Sequence, residues 1–413
     1  MQTLLDLMGR GVRDGTLEFI APGGRRWMLG HGEPHAAIRL RDGAPLRQIL
    51  RRPELSFGET YMDGAWDPQG QSLLQVLRVA VQIAREWRRS PLARYLEMAR
   101  SLVAEFNSPI RSRRNVSHHY VLAPAFYRRF LDADLHYSCA YFREPGMSLE
   151  AAQQAKCAHI AAKLNLKRGA RVLDIGCGWG SLALYLAQHF DAQVTGITLS
   201  QEQLEVARER ARERGLERQV EFCLEDYRQT QGEFDAIVSV GMFEHVGRPQ
   251  YLEFFRHVHE LLTKDGAALL HTIGRSTPPG GTNSWIQKYI FPGSYIPAAS
   301  EVTPALERSG LILCDLEVLR LHYAETLAAW HQRFQAARSD IASEMGERFC
   351  RMWEFYLQAS EATFRWDDLV VFQVQLARQN ARLPLTRDYL YREPARARSV
   401  ERIHSRPRLV HKG

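Results

Sequence analysis

Seven residues, from Asp174 to Gly180, constrain the fold of this chain more than any other feature. They spell Asp-Ile-Gly-Cys-Gly-Trp-Gly and stand between an apolar strand and a helix that begins near Ser181. Glycines let the backbone turn sharply and let a ligand come close, and this turn is the ligand site of doubly wound folds. Taken alone, the segment is compatible with a dinucleotide site, a methyl-donor site or a purely structural turn.

The chain after residue 150 alternates apolar strands with amphipathic helices, which is typical of an α/β fold. The predicted strands are Arg171–Ile175, Gln193–Ile197, Val220–Leu224, Phe234–Val240, Ala267–Thr272 and Ile312–Leu319. A helix is predicted over 200–214, with Ser200 as its cap. We therefore predict an α/β protein with a parallel, Rossmann-like doubly wound sheet.

The preceding part of the chain has a different pattern. Residues 15–70 are rich in Gly and Pro and contain short alternating runs, which predicts a smaller α+β domain. Two helical runs, 73–87 and 92–106, lead to a polar linker at 107–115. We predict four parts: an N-terminal domain with basic helices at 1–110, a linker and lid at 111–150, a catalytic domain at 151–392 and a basic tail at 393–413.

The strand after the glycine turn narrows the choice of ligand. It ends Thr198-Leu199-Ser200, without the acidic residue that a dinucleotide fold places on the ribose hydroxyls. This argues against NAD and favours S-adenosylmethionine (SAM), whose carboxylate suits the amides of a helix start. Asp174 could orient the turn or meet the SAM ammonium group. Gln203, one helical turn further on, is a neutral candidate for the ribose or a plain exposed residue.

Six segments then occur in one order along almost the whole chain. They are 137–142 (YSCAYF), 172–180, 241–247 (GMFEHVG), 270–274 (LHTIG), 288–293 (KYIFPG) and 322–327 (HYAETL). Together they resemble the cyclopropane fatty acid synthase family, which includes the mycolic acid cyclopropane synthases. The resemblance implies a SAM-dependent methyltransferase fold and transfer of a methylene group from SAM to the cis double bond of unsaturated phospholipid acyl chains. It also implies a lipid-binding first domain, in which Gly58–Gly64 (GETYMDG) matches a typical segment.

The same resemblance implies roles for individual residues. It places SAM against Tyr137, Ser138, Gly176, Gly178, Thr198, Leu199 and Gln203, with Tyr227 near the adenine. It also implies a bicarbonate ion held by Glu244, His271, Tyr323 and the backbone of Cys139 and Ile273. No metal is expected.

The reaction explains why such residue types are needed. An isolated alkene is a poor nucleophile, so the sulfonium methyl group must be held in line with the double bond and shielded from water. Methyl transfer leaves a carbocation, and a base must then remove a proton for the ring to close. Glu244, His271 and Tyr323 could hold such a base. Singly, they also fit a helix cap, a structural histidine and a core aromatic residue.

One segment departs from the family pattern. Where the family carries His-Tyr-Asp-Leu-Gly-Asn-Asp-Phe-Tyr, this chain has His-Tyr-Val-Leu-Ala-Pro-Ala-Phe-Tyr at 119–127. Two acidic residues and an amide are replaced where the segment should cover the pocket. A methyl- or methylene-branched product without ring closure is therefore an alternative. Methylation of a soluble small molecule and lipid binding without catalysis are further alternatives.

Positive charge is concentrated in two places. Nine Arg and three Glu lie between Arg78 and Arg114, while six Arg, one Lys and two Glu lie from Arg392 onward. Such patches attract anionic lipid or nucleic acid, and a solvated helix face is the plain alternative. Nucleic acid is not expected, because target-reading motifs are missing. No apolar run is long enough to span a membrane, so we expect a cytoplasmic protein that is peripherally associated with the inner membrane. We also expect a homodimer.

Overall fold

The computed structural model describes residues 14–89 and 123–391, together with Gln2, Leu5, Asp6, Gly9 and Val12. The predicted linker, the second basic helix, the basic tail and the first part of the divergent segment 119–127 lie outside these residues. No helix in the described ranges is both long enough and apolar enough to cross a bilayer.

The N-terminal part is a small mixed layer. Its strands are β1 (Gly15–Ile20), β2 (Arg26–His31), β3 (His35–Leu40) and β4 (Trp66–Pro68), and its helices are α1 (Ala44–Arg51), α2 (Pro53–Met62) and α3 (Leu73–Arg89). The strand order is β2-β1-β3-β4, with β1 parallel to β3 and antiparallel to β2. The predicted α+β character of this part is confirmed.

A seven-stranded sheet forms the centre of the larger part. Its strands are β5 (Arg171–Ile175), β6 (Gln193–Thr198), β7 (Val220–Leu224), β8 (Phe234–Val240), β9 (Leu262–Arg275), β10 (Ile312–Leu319) and β11 (Leu369–Ala377). The order is β10-β11-β9-β8-β5-β6-β7. Strands β5 to β9 run parallel, while β11 is antiparallel to both of its neighbours.

All six predicted strands are present and run parallel to one another, but the sheet as a whole is mixed and not parallel as predicted. We did not predict β11, which lies between β9 and β10 and makes the sheet mixed. All but the first of its residues are buried, as expected of a strand covered on both faces. Strand β9 is also longer than predicted at both ends. Residues 273–275 pair with β11, and Leu262 pairs with Phe234 of β8.

The larger part also contains described α-helices, some of which cover both faces of this sheet. They are α4 (Pro124–Tyr127), α5 (Leu149–Leu164), α6 (Ser181–Phe190), α7 (Gln201–Glu213), α8 (Tyr251–Leu261), α9 (Ser284–Tyr289), α10 (Ala299–Glu307), α11 (His322–Ala336), α12 (Arg338–Met345) and α13 (Glu347–Trp366). The predicted cap of α7 is confirmed, because the Ser200 hydroxyl accepts from the Gln203 amide.

The two parts share one apolar core, and α2 makes much of the contact between them. A Cβ atom on Gly58 would lie 2.5 Å from Trp285 Nε1 of α9, so only glycine allows this approach. Trp285 Nε1 donates to Met62 Sδ at 3.2 Å. Glu59 accepts from Lys288 at 2.6 Å and from the Tyr289 hydroxyl at 2.8 Å. Part of the segment 58–64 thus packs against the catalytic half.

The end of the same segment meets α13. The Arg351 guanidinium lies 4.0 Å from the centre of the Tyr61 ring, an attractive cation–π contact. Arg348 Nε lies 2.9 Å from Asp63 Oδ1. The Tyr61 hydroxyl donates to Glu354 at 3.1 Å. These contacts hold α2 and the residue that follows it against α13 of the larger part.

Three arginines of the predicted basic face meet the carboxyl end of α13. Arg85 donates to the Trp366 carbonyl at 3.3 Å, Arg78 lies over the Trp366 ring and Arg88 pairs with Asp367. Cations are favourable at this end of a helix dipole. These three arginines therefore make contacts within the protein.

Candidate active site

The glycine turn after β5 has the conformation that its sequence requires. Gly176, Gly178 and Gly180 have φ values of 82°, 55° and 79°, in the left-handed region that favours glycine. The amides of Gly176 and Cys177 both donate to the Ile197 carbonyl at 3.0 Å. The turn is thereby tied to β6, the strand that ends at Thr198.

Two of these glycines have different surroundings. A Cβ atom on Gly180 would lie 2.5 Å from Phe222 Cζ, so close packing excludes a side chain there. No atom lies within 4 Å of a Cβ atom on Gly178. Gly178 therefore faces open space at the edge of the sheet, where a ligand can approach the backbone.

Asp174 is buried at the end of β5, with 2% of its surface exposed. Burial raises the pKa of its carboxyl from 3.8 to about 7, and the Lys156 ammonium only partly opposes this. Its Oδ2 has no hydrogen-bond partner in the described part of the protein. A buried oxygen of this kind fits a cationic ligand group such as the ammonium of SAM.

The end of β6 brings the next predicted SAM residues together. The Thr198 hydroxyl donates to Gln203 Oε1 at 2.9 Å and accepts from the Ser200 amide at 3.2 Å. Leu199 is 63% exposed, which is unusual for a leucine next to a buried strand end. This arrangement leaves an apolar surface and an oriented amide beside the glycine turn.

Tyr137 and Ser138 approach the site from the loop before α5. The Tyr137 hydroxyl shares a hydrogen bond of 2.9 Å with that of Tyr356, and its ring packs on Trp330. Ser138 is held at two points, because its hydroxyl accepts from Lys156 Nζ and its carbonyl from Gln153 Nε2, both at 3.0 Å.

Tyr227 lies in a short turn after β7, the strand beside β6. Its ring packs edge-on against Phe254 of α8, with centres 5.3 Å apart. Burial raises the pKa of its hydroxyl to about 12. It shares the carboxyl edge of the sheet with Thr198, and its predicted position near the adenine remains a prediction.

Glu244 lies in a single turn after β8 and does not cap a helix. Its Oε1 accepts from the Ile273 amide of β9 at 2.6 Å, so this predicted backbone ligand already has a protein partner. Its Oε2 is buried without a partner in the described chain. Burial raises the pKa of the carboxyl, and the Ile273 amide only partly offsets this.

His271 lies within β9 and is 2% exposed. Burial, followed by the nearby Lys156 and Lys163 charges, lowers its pKa to about 3, so the ring is neutral. Gln373 Nε2 of β11 lies 3.1 Å from Nδ1. With this amide as donor to Nδ1, the ring proton is on Nε2, which can then donate to an anion.

Tyr323 and Cys139 complete the predicted acceptor group. Tyr323 is buried against Trp330 and Phe364, and burial raises its pKa; Cys139 and Glu244 are close enough to contribute to that rise. Burial also raises the pKa of the Cys139 thiol. This thiol is therefore protonated and buried, which is unsuited to nucleophilic attack.

The glycine turn and the acceptor group adjoin each other. A Cβ atom on Gly176 would lie 2.8 Å from Met242, two residues before Glu244. The Glu244 carbonyl accepts from the Tyr295 amide at 2.8 Å, which joins the aromatic segment 274–299 to the site. The described protein thus brings a buried carboxyl, an imidazole and a phenol to the edge where SAM is expected.

Comparison with known proteins identifies the family. Residues 107–374 match the family described as mycolic acid cyclopropane synthetase. The chain belongs to this family. The cyclopropane-fatty-acyl-phospholipid synthase of Escherichia coli strain K12 is 38% identical over 352 residues, which cover 84% of this chain and 89% of that protein. A probable fatty acid methyltransferase of Pseudomonas putida is 40% identical over 290 residues, which cover 67% of this chain and 73% of that protein.

A solved structure agrees with this assignment. The crystal structure of a mycolic acid cyclopropane synthase complexed with SAH and CTAB has a TM-score of 0.60 and 33% identity, covering 64% of this chain and 97% of that one. The predicted family, the SAM-dependent methyltransferase fold and the enzyme class are confirmed.

Sequence reasoning missed four polar residues that hold the loop 137–140 and His271. Lys156 and Gln153 bind Ser138, Gln373 contacts His271, and the Thr326 hydroxyl accepts from the Ala140 amide at 3.0 Å. The sequence offered no clear signal for the first two, because α5 also carries other polar residues such as Glu150, Gln154 and Lys163. Gln373 lay on the strand that was not predicted.

Proposed function

We propose that this family member transfers a methylene group from SAM to the cis double bond of an unsaturated phospholipid acyl chain and forms a cyclopropane ring. The observation that supports this most directly is the buried group of Glu244, His271, Tyr323 and Cys139 next to the glycine turn. Such a group suits a reaction that needs a positioned base in a site without water.

The residues around the glycine turn hold SAM in this proposal. Asp174 Oδ2 meets the ammonium group, Gly178 leaves room for the ligand and Gln203 reaches the ribose. Leu199 covers the adenine from one side, with Tyr227 nearby. Tyr137 and Ser138 close the site from the other chain segment. Fixing the donor in this way allows the sulfonium methyl group to be held in line with the alkene.

The acceptor group fits a small oxyanion, which we propose to be bicarbonate. Glu244 Oε2 is free for a hydrogen bond, neutral His271 can donate from Nε2, and Tyr323 adds a hydroxyl. The Cys139 backbone completes the set, whereas the Ile273 amide acts through Glu244. When bound, bicarbonate supplies a base for removing the proton that ring closure releases.

Aromatic rings are well placed to protect the cationic stage of the reaction. Phe291 lies 6.5 Å from the Tyr137 ring and 5.9 Å from the Tyr356 ring, measured between centres. Aromatic faces attract positive charge without acting as nucleophiles. They also exclude water, which would otherwise trap the carbocation.

The test is incubation with SAM and vesicles of unsaturated phospholipid, followed by mass analysis and NMR of the acyl chains. A gain of CH2 with ring protons supports the proposal. A gain of CH2 with alkene protons indicates a methylene branch, and a saturated methyl branch requires an added reductant. No mass change with any unsaturated lipid would refute the proposed reaction.

A branched product is the second candidate. The Pseudomonas putida relative carries the name of a fatty acid methyltransferase. In addition, the divergent segment contributes Pro124–Tyr127, whose Tyr127 ring packs on Tyr137 and Trp179 at 5.3 and 4.9 Å. Replacement of the family's polar residues there alters the surface beside the donor site.

We also propose that the protein acts at the cytoplasmic face of the inner membrane, where its N-terminal part binds lipid and basic residues attract anionic head groups. Flotation with anionic and neutral vesicles tests this, and added salt should weaken binding to the anionic ones. The domain limits at 110, 150 and 392 and the homodimer are also proposed; limited proteolysis and light scattering test them.

A further inference from the structure

Helix α5 contains a buried lysine whose charge is not balanced by a direct partner. Lys156 is 1% exposed, and burial lowers the pKa of its ammonium. In the described part of the chain its hydrogen bond goes to the neutral Ser138 hydroxyl at 3.0 Å. Buried charges in proteins are normally paired, because removing them from water is costly.

A second buried lysine on the same helix is paired with a carboxylate, as buried charges normally are. Lys163 is 0% exposed and its Nζ lies 2.5 Å from Glu317 Oε2, which also contacts His159 at 2.7 Å. The carboxylate of Asp132, by contrast, is held by the His136 side chain and the His136 amide, both at 2.8 Å. Within the described residues, Lys156 therefore has no salt bridge like that of Lys163, and Asp132 and Asp174 act on its ammonium only through the charge of their carboxylates.

The position of Lys156 connects the two halves of the active site. Its ammonium is close enough to act electrostatically on Asp174 at the donor side and on Cys139 and His271 at the acceptor side. It holds Ser138, which lies between Tyr137 and Cys139 in the chain. Among the groups on which its charge acts, Cys139 and His271 belong to the site where an oxyanion is proposed to bind.

We propose that Lys156 is the buried cation that draws the oxyanion into the acceptor site and is neutralised by it. This inference rests on the proposed function. An uncompensated ammonium would oppose the positive charge that develops on the acyl chain. A bound anion removes this penalty, which gives the anion an electrostatic role in addition to its role as a base. Lys156 acts as a positioning residue and does not touch the reacting atoms.

The test compares four variants of the full chain. Lys156→Met and Lys156→Gln remove the charge, Lys156→Arg keeps it, and Gln153→Leu removes the neighbouring bond to the Ser138 carbonyl without changing the charge. Each protein is saturated with S-adenosylhomocysteine and heated in bicarbonate or chloride at equal ionic strength. The rise in unfolding temperature with bicarbonate concentration yields the dissociation constant, and turnover is followed in parallel.

Lys156→Met and Lys156→Gln should each weaken bicarbonate binding at least tenfold, while Lys156→Arg and Gln153→Leu keep most of it. The affinity of all four variants for S-adenosylhomocysteine should stay within about threefold of that of the parent protein. This is less than the tenfold change that corresponds to about 1.4 kcal/mol. Without bicarbonate, Lys156→Met should unfold no earlier than the parent, because an unpaired buried charge is gone.

Unchanged bicarbonate binding in folded Lys156→Met or Lys156→Gln would overturn this inference and leave the proposed function intact. Equal weakening in Gln153→Leu would also overturn it, because the effect would then come from the loop and not the charge. No bicarbonate response in the parent protein would remove the anion site from the proposed function, and this inference with it.

Discussion

Replacing Asp174 by asparagine should make the protein more resistant to unfolding at alkaline pH. The folded state raises the pKa of this carboxyl from 3.8 to about 7, so it keeps a proton that the unfolded chain has released. The free energy of unfolding of the parent therefore falls as the pH rises through this range. The loss is about 3 kcal/mol between about pH 5 and about pH 8. The amide side chain of the Asp174→Asn variant carries no charge and avoids this loss.

The assay is urea unfolding of Asp174→Asn and the parent at both pH values. The quantity to compare is the difference in free energy of unfolding between Asp174→Asn and the parent, measured at each pH. Any effect of the substitution on packing is the same at both pH values, so only the change in this difference reports the buried charge. Asp265→Asn, the same substitution at an exposed position on β9, serves as the control. Asp174→Asn should also bind SAM at least tenfold more weakly. If the difference in free energy of unfolding between Asp174→Asn and the parent is the same at both pH values, burial does not raise the pKa of Asp174 and the reasoning is refuted.

Four further substitutions test the site and the contact between the two parts of the protein. Glu244→Gln should bind SAM normally but lower turnover about tenfold to a hundredfold. The glutamine carbonyl still accepts from the Ile273 backbone amide, but the charge-assisted hydrogen bond of the carboxylate is lost. Calorimetry measures SAM binding, and the product assay measures turnover. Gly178→Ala should fold but lose SAM affinity, whereas Gly180→Ala should unfold at a lower temperature because its Cβ would meet a ring 2.5 Å away. Glu59→Gln should cost about 1 kcal/mol of stability by weakening the contact between α2 and α9, as followed by urea unfolding.

Each expectation has an outcome that contradicts it. Normal turnover in Glu244→Gln would remove Glu244 from the acceptor group. Tight SAM binding by Gly178→Ala would show that the open space at Gly178 is not the ligand site. Equal unfolding temperatures for Gly180→Ala and the parent would contradict the close packing. An unchanged urea midpoint for Glu59→Gln would mean that its contacts with α9 contribute nothing to stability.

Local pattern was sufficient for much of the donor site. The strand, the glycines and the following helix between Arg171 and Phe190 agree with the prediction, because positive φ values and helix starts depend on residues close in the chain. The Ser200 cap is local for the same reason. Residues such as Glu244 were recognised through the family resemblance, since a single carboxylate has no local signature.

Sequence alone therefore determined the type of fold, the glycine turn at Asp174–Gly180 and the residue types available for chemistry. Tertiary structure decided which of them meet. Gln373 reaches His271 from 102 positions away, and only because β11 lies beside β9. The burial of the Lys156 ammonium, with no salt bridge among the described residues, likewise exists only once α5 packs against the sheet. Burial and strand pairing between distant segments set these contacts and pKa values, and no local periodicity encodes them.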